Sequence, residues 1–139
     1  MPHITLECSA NVAGRADLDA LVRAVHQAAL ETGVFPVGGT RTRLVLLERF
    51  RLADGDPANA FVHATVRIGQ GRDAETKRAA GSHVFAALCA ALAEAYAAGP
   101  LALSLEIQEI DAALSFKQNN LHEYVAARRA ASVPEGAPV

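Results

Sequence analysis

Hydrophobic and polar residues alternate along several short stretches of the chain, which is the pattern of half-buried strands. The first stretch, residues 3–9, has an apolar side chain at every second position. The same alternation predicts strands over residues 61–68 and 101–110. A continuous apolar run within residues 41–52 predicts a fourth strand that is covered on both faces.

Helical spacing dominates the segments between these strands. Asp17 is a suitable N-cap, and apolar residues three and four apart follow it as far as Gly33, which is expected as the C′ residue. A long helix is expected from residue 73 to residue 98, where a Gly-Pro pair ends it. Residues 116–129 are predicted to be partly helical.

The resulting order, β-α-β followed by β-α-β, predicts an α/β fold (α+β in some schemes). Helical crossovers normally join parallel neighbouring strands, so we expect one four-stranded sheet with two helices on one face. The other face is left bare, and self-association is the simplest way to cover it. We expect one domain over residues 1–128 and a disordered tail over residues 129–139.

Charge and cysteine content limit the ligands and the cellular compartment that can be expected for this protein. A formal net charge of -2 over 139 residues gives no global field that favours nucleic acid or an acidic membrane, so an anionic ligand needs local arginine or lysine. No apolar run reaches the roughly 18–20 residues that span a bilayer. Cys8 and Cys89 are widely spaced in apolar contexts, which indicates a reducing compartment. We therefore expect a cytoplasmic protein.

Pro2 directly precedes the first strand. Because proline is small, we expect Met1 to be removed, which leaves the secondary amine of Pro2 as the N-terminus. An ordinary α-amine has a pKa of about 7.7–8.0, and burial or nearby cations lower it towards the range where a general base works best. Proline at position 2 also occurs without catalytic meaning, so other residues must support the role.

Three arginines are candidate anion ligands. Arg41 and Arg43 share a strand face, and Arg72 follows a glycine-rich turn at a helix start. The N–H groups and positive dipole of that helix N-terminus are expected to add to an anion site beside Arg72. Together the three arginines have the charge and fork geometry to hold a dicarboxylate. They are alternatively solvated, or Arg41 and Arg43 bond to Glu48 or Asp54.

Other chemistries have weaker support. Residues 69–74 match the dinucleotide pattern G-x-G-x-x-A, but the chain lacks room for the usual six-stranded domain. The histidines show no metal-ligand spacing, and His63 is interpreted as a structural residue with satisfied hydrogen bonds. Neither Cys8 nor Cys89 is expected to be a nucleophile.

A set of short motifs covers about residues 1–125. They are Met1-Pro2-His3, Glu7-Cys8-Ser9, Thr32-Gly33-Val34-Phe35-Pro36, Gly39-Thr40-Arg41-Thr42-Arg43, Ala53-Asp54-Gly55, Phe61-Val62-His63, Ile68-Gly69-Gln70-Gly71-Arg72, Leu103-Ser104-Leu105-Glu106-Ile107 and Phe116-Lys117-Gln118-Asn119-Asn120. By these motifs the sequence resembles the 5-carboxymethyl-2-hydroxymuconate isomerase family of the tautomerase superfamily. The Pro-His start and the Phe-Lys-Gln-Asn-Asn run are specific together.

The resemblance implies a homotrimer whose sheets surround a threefold axis, with no cofactor and no metal. The implied substrate is a small hydroxymuconate with three carboxylates, isomerised in homoprotocatechuate (4-hydroxyphenylacetate) catabolism. Pro2 would be the proton-shuttling base, and Arg41 and Arg72 would bind carboxylates and stabilise developing charge. Arg43 is a weaker candidate for binding substrate. The alternatives are a tautomerase-fold enzyme for another 2-oxo acid and a non-catalytic trimeric small-anion binding module.

Overall fold

The computed structural model describes residues 1–132 and contains one four-stranded sheet with the order β2-β1-β3-β4. The strands are β1 (His3–Ser9), β2 (Arg41–Leu47), β3 (Ala60–Gly69) and β4 (Leu101–Ile110). β1 pairs with β2 and β3 pairs with β4 in parallel, whereas β1 and β3 are antiparallel. The predicted two β-α-β units are confirmed, and the N-terminal strand lies in the interior of the sheet.

The helices are α1 (Leu18–Glu31), α2 (Ala74–Ala91), α3 (Ala93–Ala98) and α4 (Leu121–Ala131). The Asp17 carboxylate accepts a hydrogen bond from the Ala20 N–H at 3.0 Å, so the predicted N-cap is confirmed. Gly33 has φ +69°, the left-handed conformation expected after a helix C-terminus. The predicted long helix is interrupted at Leu92, whose ψ of 12° lies outside the helical range.

The core lies between α1, α2 and one face of the sheet. Alternate residues of β1 and β3 are fully buried there, as the period-2 pattern predicts. They pack with apolar residues from both helices, namely Leu21, Val25, Val84 and Leu88. The opposite side, here called the open face, carries the intervening residues of these strands, which are largely half-buried or exposed.

β2 ends earlier than the sequence predicts, at Leu47 rather than at residue 52. Within the described residues it pairs with β1 alone, and β1 ends at Ser9, directly opposite Leu47. A strand with no remaining ladder partner cannot continue. The prediction that β2 is covered on both faces is wrong for a single chain, because Val45 and Leu46 are each 44% exposed.

The C-terminal helix α4 continues to Ala131, so disorder predicted from residue 129 is wrong for residues 129–131. The remainder of the expected tail, residues 133–139, lies outside the described residues, and the domain boundary at residue 128 stays a prediction. Within residues 1–132, no helix is long and apolar enough to cross a membrane.

Candidate active site

Pro2 is buried at the end of the sheet where β1 and β2 both begin. Its carbonyl accepts a hydrogen bond from the Arg41 N–H at 3.0 Å, which holds Pro2 against the start of β2. The Sδ atom of Met1 accepts a hydrogen bond from Arg41 Nη1 at 2.8 Å. The backbone pairing of β1 and β2 therefore brings the chain terminus and one predicted site arginine together.

The charges of three cationic side chains act on the N-terminal amine, which in the described chain belongs to Met1. Burial lowers the pKa of this amine, and so do the Lys117 ammonium, the Arg41 guanidinium and the Arg72 guanidinium, in that order. Each of them disfavours the charged form of the amine. Such a site combines a base with groups that attract anions.

Arg72 connects the two β-α-β units. Its Nη1 donates to the Gly69 carbonyl and its Nη2 to the Val34 carbonyl, both at 3.2 Å, and the guanidinium lies 5.5 Å from the Phe35 ring centroid. A guanidinium has five N–H groups, so these two hydrogen bonds leave donors for a ligand. Gly71, with φ +122°, allows the turn that places Arg72 there.

The N-terminus of α2 was expected to add to an anion site beside Arg72. Instead the Asp73 carboxylate caps it and accepts from the Thr76 N–H at 2.7 Å. The Thr76 N–H and hydroxyl hold the pKa of Asp73 below its usual value, so the cap is a carboxylate. A negative group at this position offsets the positive helix end, and the anion affinity of the site therefore rests on side chains.

The segment before α4 brings Lys117 to the amine. Asn119 Nδ2 donates to the Gly38 carbonyl at 2.9 Å, and Asn119 Oδ1 accepts from the Leu121 N–H at 2.8 Å. The first turn of α4 lies so close to Gly38 that only glycine fits there. Lys117 was not predicted as a site residue, although it lies within the Phe-Lys-Gln-Asn-Asn run that contributes to the family resemblance.

Gly38→Ala is expected to loosen the contact between α4 and the site. An added Cβ would lie 2.5 Å from His122 Nδ1 and 2.8 Å from His122 Cα, so backbone must shift. We expect a cost of about 1–3 kcal/mol in thermal unfolding and a raised KM. Gly14→Ala is the matched control, because its Cβ would meet nothing within 4 Å. Equal effects of the two changes would contradict the proposed contact.

Arg43 is placed apart from the amine. Its Nη1 lies 3.2 Å from His3 Nδ1 on the open face, and it is absent from the groups that shift the pKa of the amine. Neither Arg41 nor Arg43 forms an ion pair within residues 1–132, so the alternative partners Glu48 and Asp54 are not used.

The remaining candidates show no competing chemistry. His63 bonds to Ser104 Oγ at 2.6 Å and to Glu106 Oε1 at 3.0 Å, as expected of a satisfied structural histidine. Burial raises the pKa of the Cys8 thiol to about 11, which makes it a poor nucleophile. Residues 1–132 contain no group of three or more ligating side chains suited to a metal ion.

Two cavities lie beside the edge strands β2 and β4. One of about 650 Å³ lies between α1 and β2 and includes Arg41 and His26 in its wall. Another of about 530 Å³ lies between α2 and β4, with walls that include Phe85, Cys89 and Leu103. The residues that line the second cavity include no charged side chain.

The motif resemblance and this geometry agree with comparisons to known proteins. The profile of the family described as 5-carboxymethyl-2-hydroxymuconate isomerase matches residues 2–125. The chain belongs to this family. The 5-carboxymethyl-2-hydroxymuconate Delta-isomerase of Escherichia coli is 40% identical over 122 residues, which are 88% of this chain and 97% of that protein.

Solved structures agree with the assignment to the 5-carboxymethyl-2-hydroxymuconate isomerase family. The isomerase from Deinococcus radiodurans R1 superposes with a TM-score of 0.83 at 37% identity, covering 89% of this chain and 93% of that chain. A Q0 fused 4-OT described as a wild-type symmetric trimer has a TM-score of 0.64 at 15% identity, covering 88% of this chain and 98% of that chain. The latter likeness is one of fold alone, and the predicted tautomerase-like fold is confirmed.

Proposed function

We propose that this protein isomerises 5-carboxymethyl-2-hydroxymuconate, with the Pro2 amine as general base after removal of Met1. The observation that carries the proposal is the terminal amine, whose pKa is lowered by Lys117, Arg41 and Arg72. Removal of Met1 moves the amine one residue inward and frees Arg41 from the Met1 sulfur. The 40% identity to a named isomerase supports the substrate assignment.

The proposed reaction is a proton transfer without net oxidation. The neutral Pro2 amine takes the proton of the substrate enol, which leaves a conjugated dienolate and a prolinium. The prolinium then returns the proton to a carbon of the dienolate, and the double bond moves. Arg41 and Arg72 stabilise the oxyanion and bind carboxylates, and the same charges keep the amine neutral at the start of the cycle.

The proposal includes a homotrimer and a place in homoprotocatechuate catabolism in the cytoplasm. Val45 is exposed on the open face of the edge strand β2, and assembly through this face would cover it. A distant relative of the same fold is described as a symmetric trimer. Sedimentation at micromolar concentration tests this part, and a monomer would contradict it.

Intact-protein mass spectrometry followed by an isomerase assay tests the proposed activity. A mass lighter by one methionine residue, together with turnover that rises as a basic group loses its proton, is the expected result. If the processed chain turns over another 2-oxo acid but not this substrate, the protein is instead a tautomerase-fold enzyme for that acid. Binding of the muconate without any turnover would identify a small-anion binding module.

Lys117→Met is expected to shift the ascending limb of the kcat/KM pH profile to higher pH, because loss of a neighbouring cation raises the pKa of the amine. KM should also rise, since a carboxylate ligand is lost. Lys117→Arg should restore both values. Lys77→Met is the control, because Lys77 instead pairs with Glu109. An unchanged profile in Lys117→Met would exclude this role.

A further inference from the structure

The open face of the sheet carries a second group of cations. His3 on β1 lies directly opposite Arg41 on β2 and Arg67 on β3. Arg43, two residues beyond Arg41, contacts His3 Nδ1 at 3.2 Å. Within residues 1–132, none of these arginines forms an ion pair with a carboxylate. This end of the face, here called the cationic end, therefore carries three arginines that lack a carboxylate partner within the described residues.

The other end of the same face is different. There His63 is bonded to both Ser104 and Glu106, and Glu7 lies opposite His63 in the strand pairing. The side chains at that end therefore have polar partners that are either neutral or oppositely charged. The lack of such partners at the first end is thus a local feature and not a general property of the open face.

The hydrogen-bonding groups that the cationic end offers to a ligand are donors. A guanidinium can only donate, so the contact from Arg43 requires His3 Nδ1 to accept, which leaves the proton on Nε2. Burial and the charges of Arg43, Arg41, the N-terminal amine and Arg67 lower the pKa of His3, in agreement with a neutral ring. Arg43 and Arg67 are exposed and remain accessible in the described chain. Such a set of N–H donors suits a ligand that offers several acceptor oxygens and negative charge.

We propose that His3, Arg43 and Arg67 form an anion-binding site on the open face that is separate from the Pro2 site and takes a small oxyanion with two negative charges. His3 contributes its Nε2–H, and the two arginines contribute charge and forked donors. If three chains assemble with these faces towards one axis, as proposed above, three such clusters approach each other. The anion then also offsets repulsion between subunits, although binding to a single chain does not depend on assembly.

Thermal unfolding of the full chain in inorganic phosphate tests the site. We expect the wild-type Tm to rise by a few degrees and to saturate at millimolar phosphate, because a ligand that binds only the folded state stabilises it. Sulfate should act similarly, and acetate at matched ionic strength should not. Arg67→Gln and Arg43→Gln should lose the shift. Arg72→Gln, which changes the Pro2 site, should keep it, as should the surface control Arg78→Gln.

The variants distinguish phosphate binding at this site from phosphate binding at the Pro2 site. A shift that is lost in Arg72→Gln and kept in Arg67→Gln would place phosphate at the Pro2 site and overturn the proposal. No shift in the wild type, or an equal shift in acetate, would overturn it as well. If Arg67→Gln and Arg43→Gln raise KM as much as Arg72→Gln does, the cluster belongs to the substrate site. Absence of isomerase turnover in the wild type would refute the proposed function and leave the phosphate result standing.

Discussion

Pro2→Ala is expected to lower kcat/KM for 5-carboxymethyl-2-hydroxymuconate by about 10²–10⁴-fold, the range that a positioned general base contributes. Alanine is also small, so Met1 should still be removed and a free amine should remain. That amine is primary and lacks the ring that fixes its direction, so a residual rate is expected. Pro2 also contributes a backbone carbonyl to the Arg41 N–H, and any residue at this position retains that hydrogen bond.

A wild-type chain that keeps Met1 is the sharper comparison, because its Pro2 nitrogen is an amide without basicity. Its turnover should fall below that of Pro2→Ala, although its fold and sedimentation should match those of the processed chain. Mass spectrometry of each preparation establishes which terminus is present. Turnover by the Met1-retaining chain equal to that of the processed enzyme would exclude the Pro2 amine as the base.

Arg72→Ala is expected to lower kcat by about 10²–10³-fold, the usual cost of removing one donor from a developing oxyanion. KM should rise as well, because a carboxylate ligand disappears. The change also removes the hydrogen bonds to Gly69 and Val34, so the thermal unfolding of the variant must be measured beside its kinetics. Arg78→Ala, an exposed position on α2, is the surface control.

Arg72→Lys distinguishes the charge of Arg72 from its geometry. Lysine keeps one positive charge but cannot donate along two fixed directions, so it should recover part of KM and little of kcat. Full recovery of kcat by lysine would mean that charge alone accounts for the effect. If Arg72→Ala alters only the stability of the fold, with kcat and KM unchanged, the proposed catalytic role is wrong.

Local patterns predicted the elements of this fold because strand and helix periods are properties of neighbouring residues. The alternation in residues 3–9 became β1, and the cap at Asp17 and the turn at Gly33 bound α1 as expected. The end of β2 was missed because it depends on the length of β1, its pairing partner, about 40 residues away. Phe50 and Leu52 favour a longer strand in the sequence, but no ladder partner from β1 remains beyond Leu47.

The site residues also differ in whether local sequence could predict them. Arg41 and Arg72 were named from short motifs, and the strand starts and the glycine turn place both beside the terminal amine. Lys117 was missed because its position depends on a hydrogen bond between Asn119 and Gly38, which are 81 residues apart in the chain. A lysine in a polar run has no local period that distinguishes a solvated side chain from one that acts on the terminal amine.

The interior position of β1 has a consequence for how the enzyme matures. Of the four strands, β1 is made first and is flanked by two strands made later, the last of which, β3, follows roughly 60 residues behind. At about 5–20 residues per second, the terminus stays extended for several seconds before it can be enclosed. We expect methionine aminopeptidase to remove Met1 in that interval. A chain that misses it would fold correctly and yet emerge as a permanently inactive protein, so the timing of synthesis would set the yield of working enzyme.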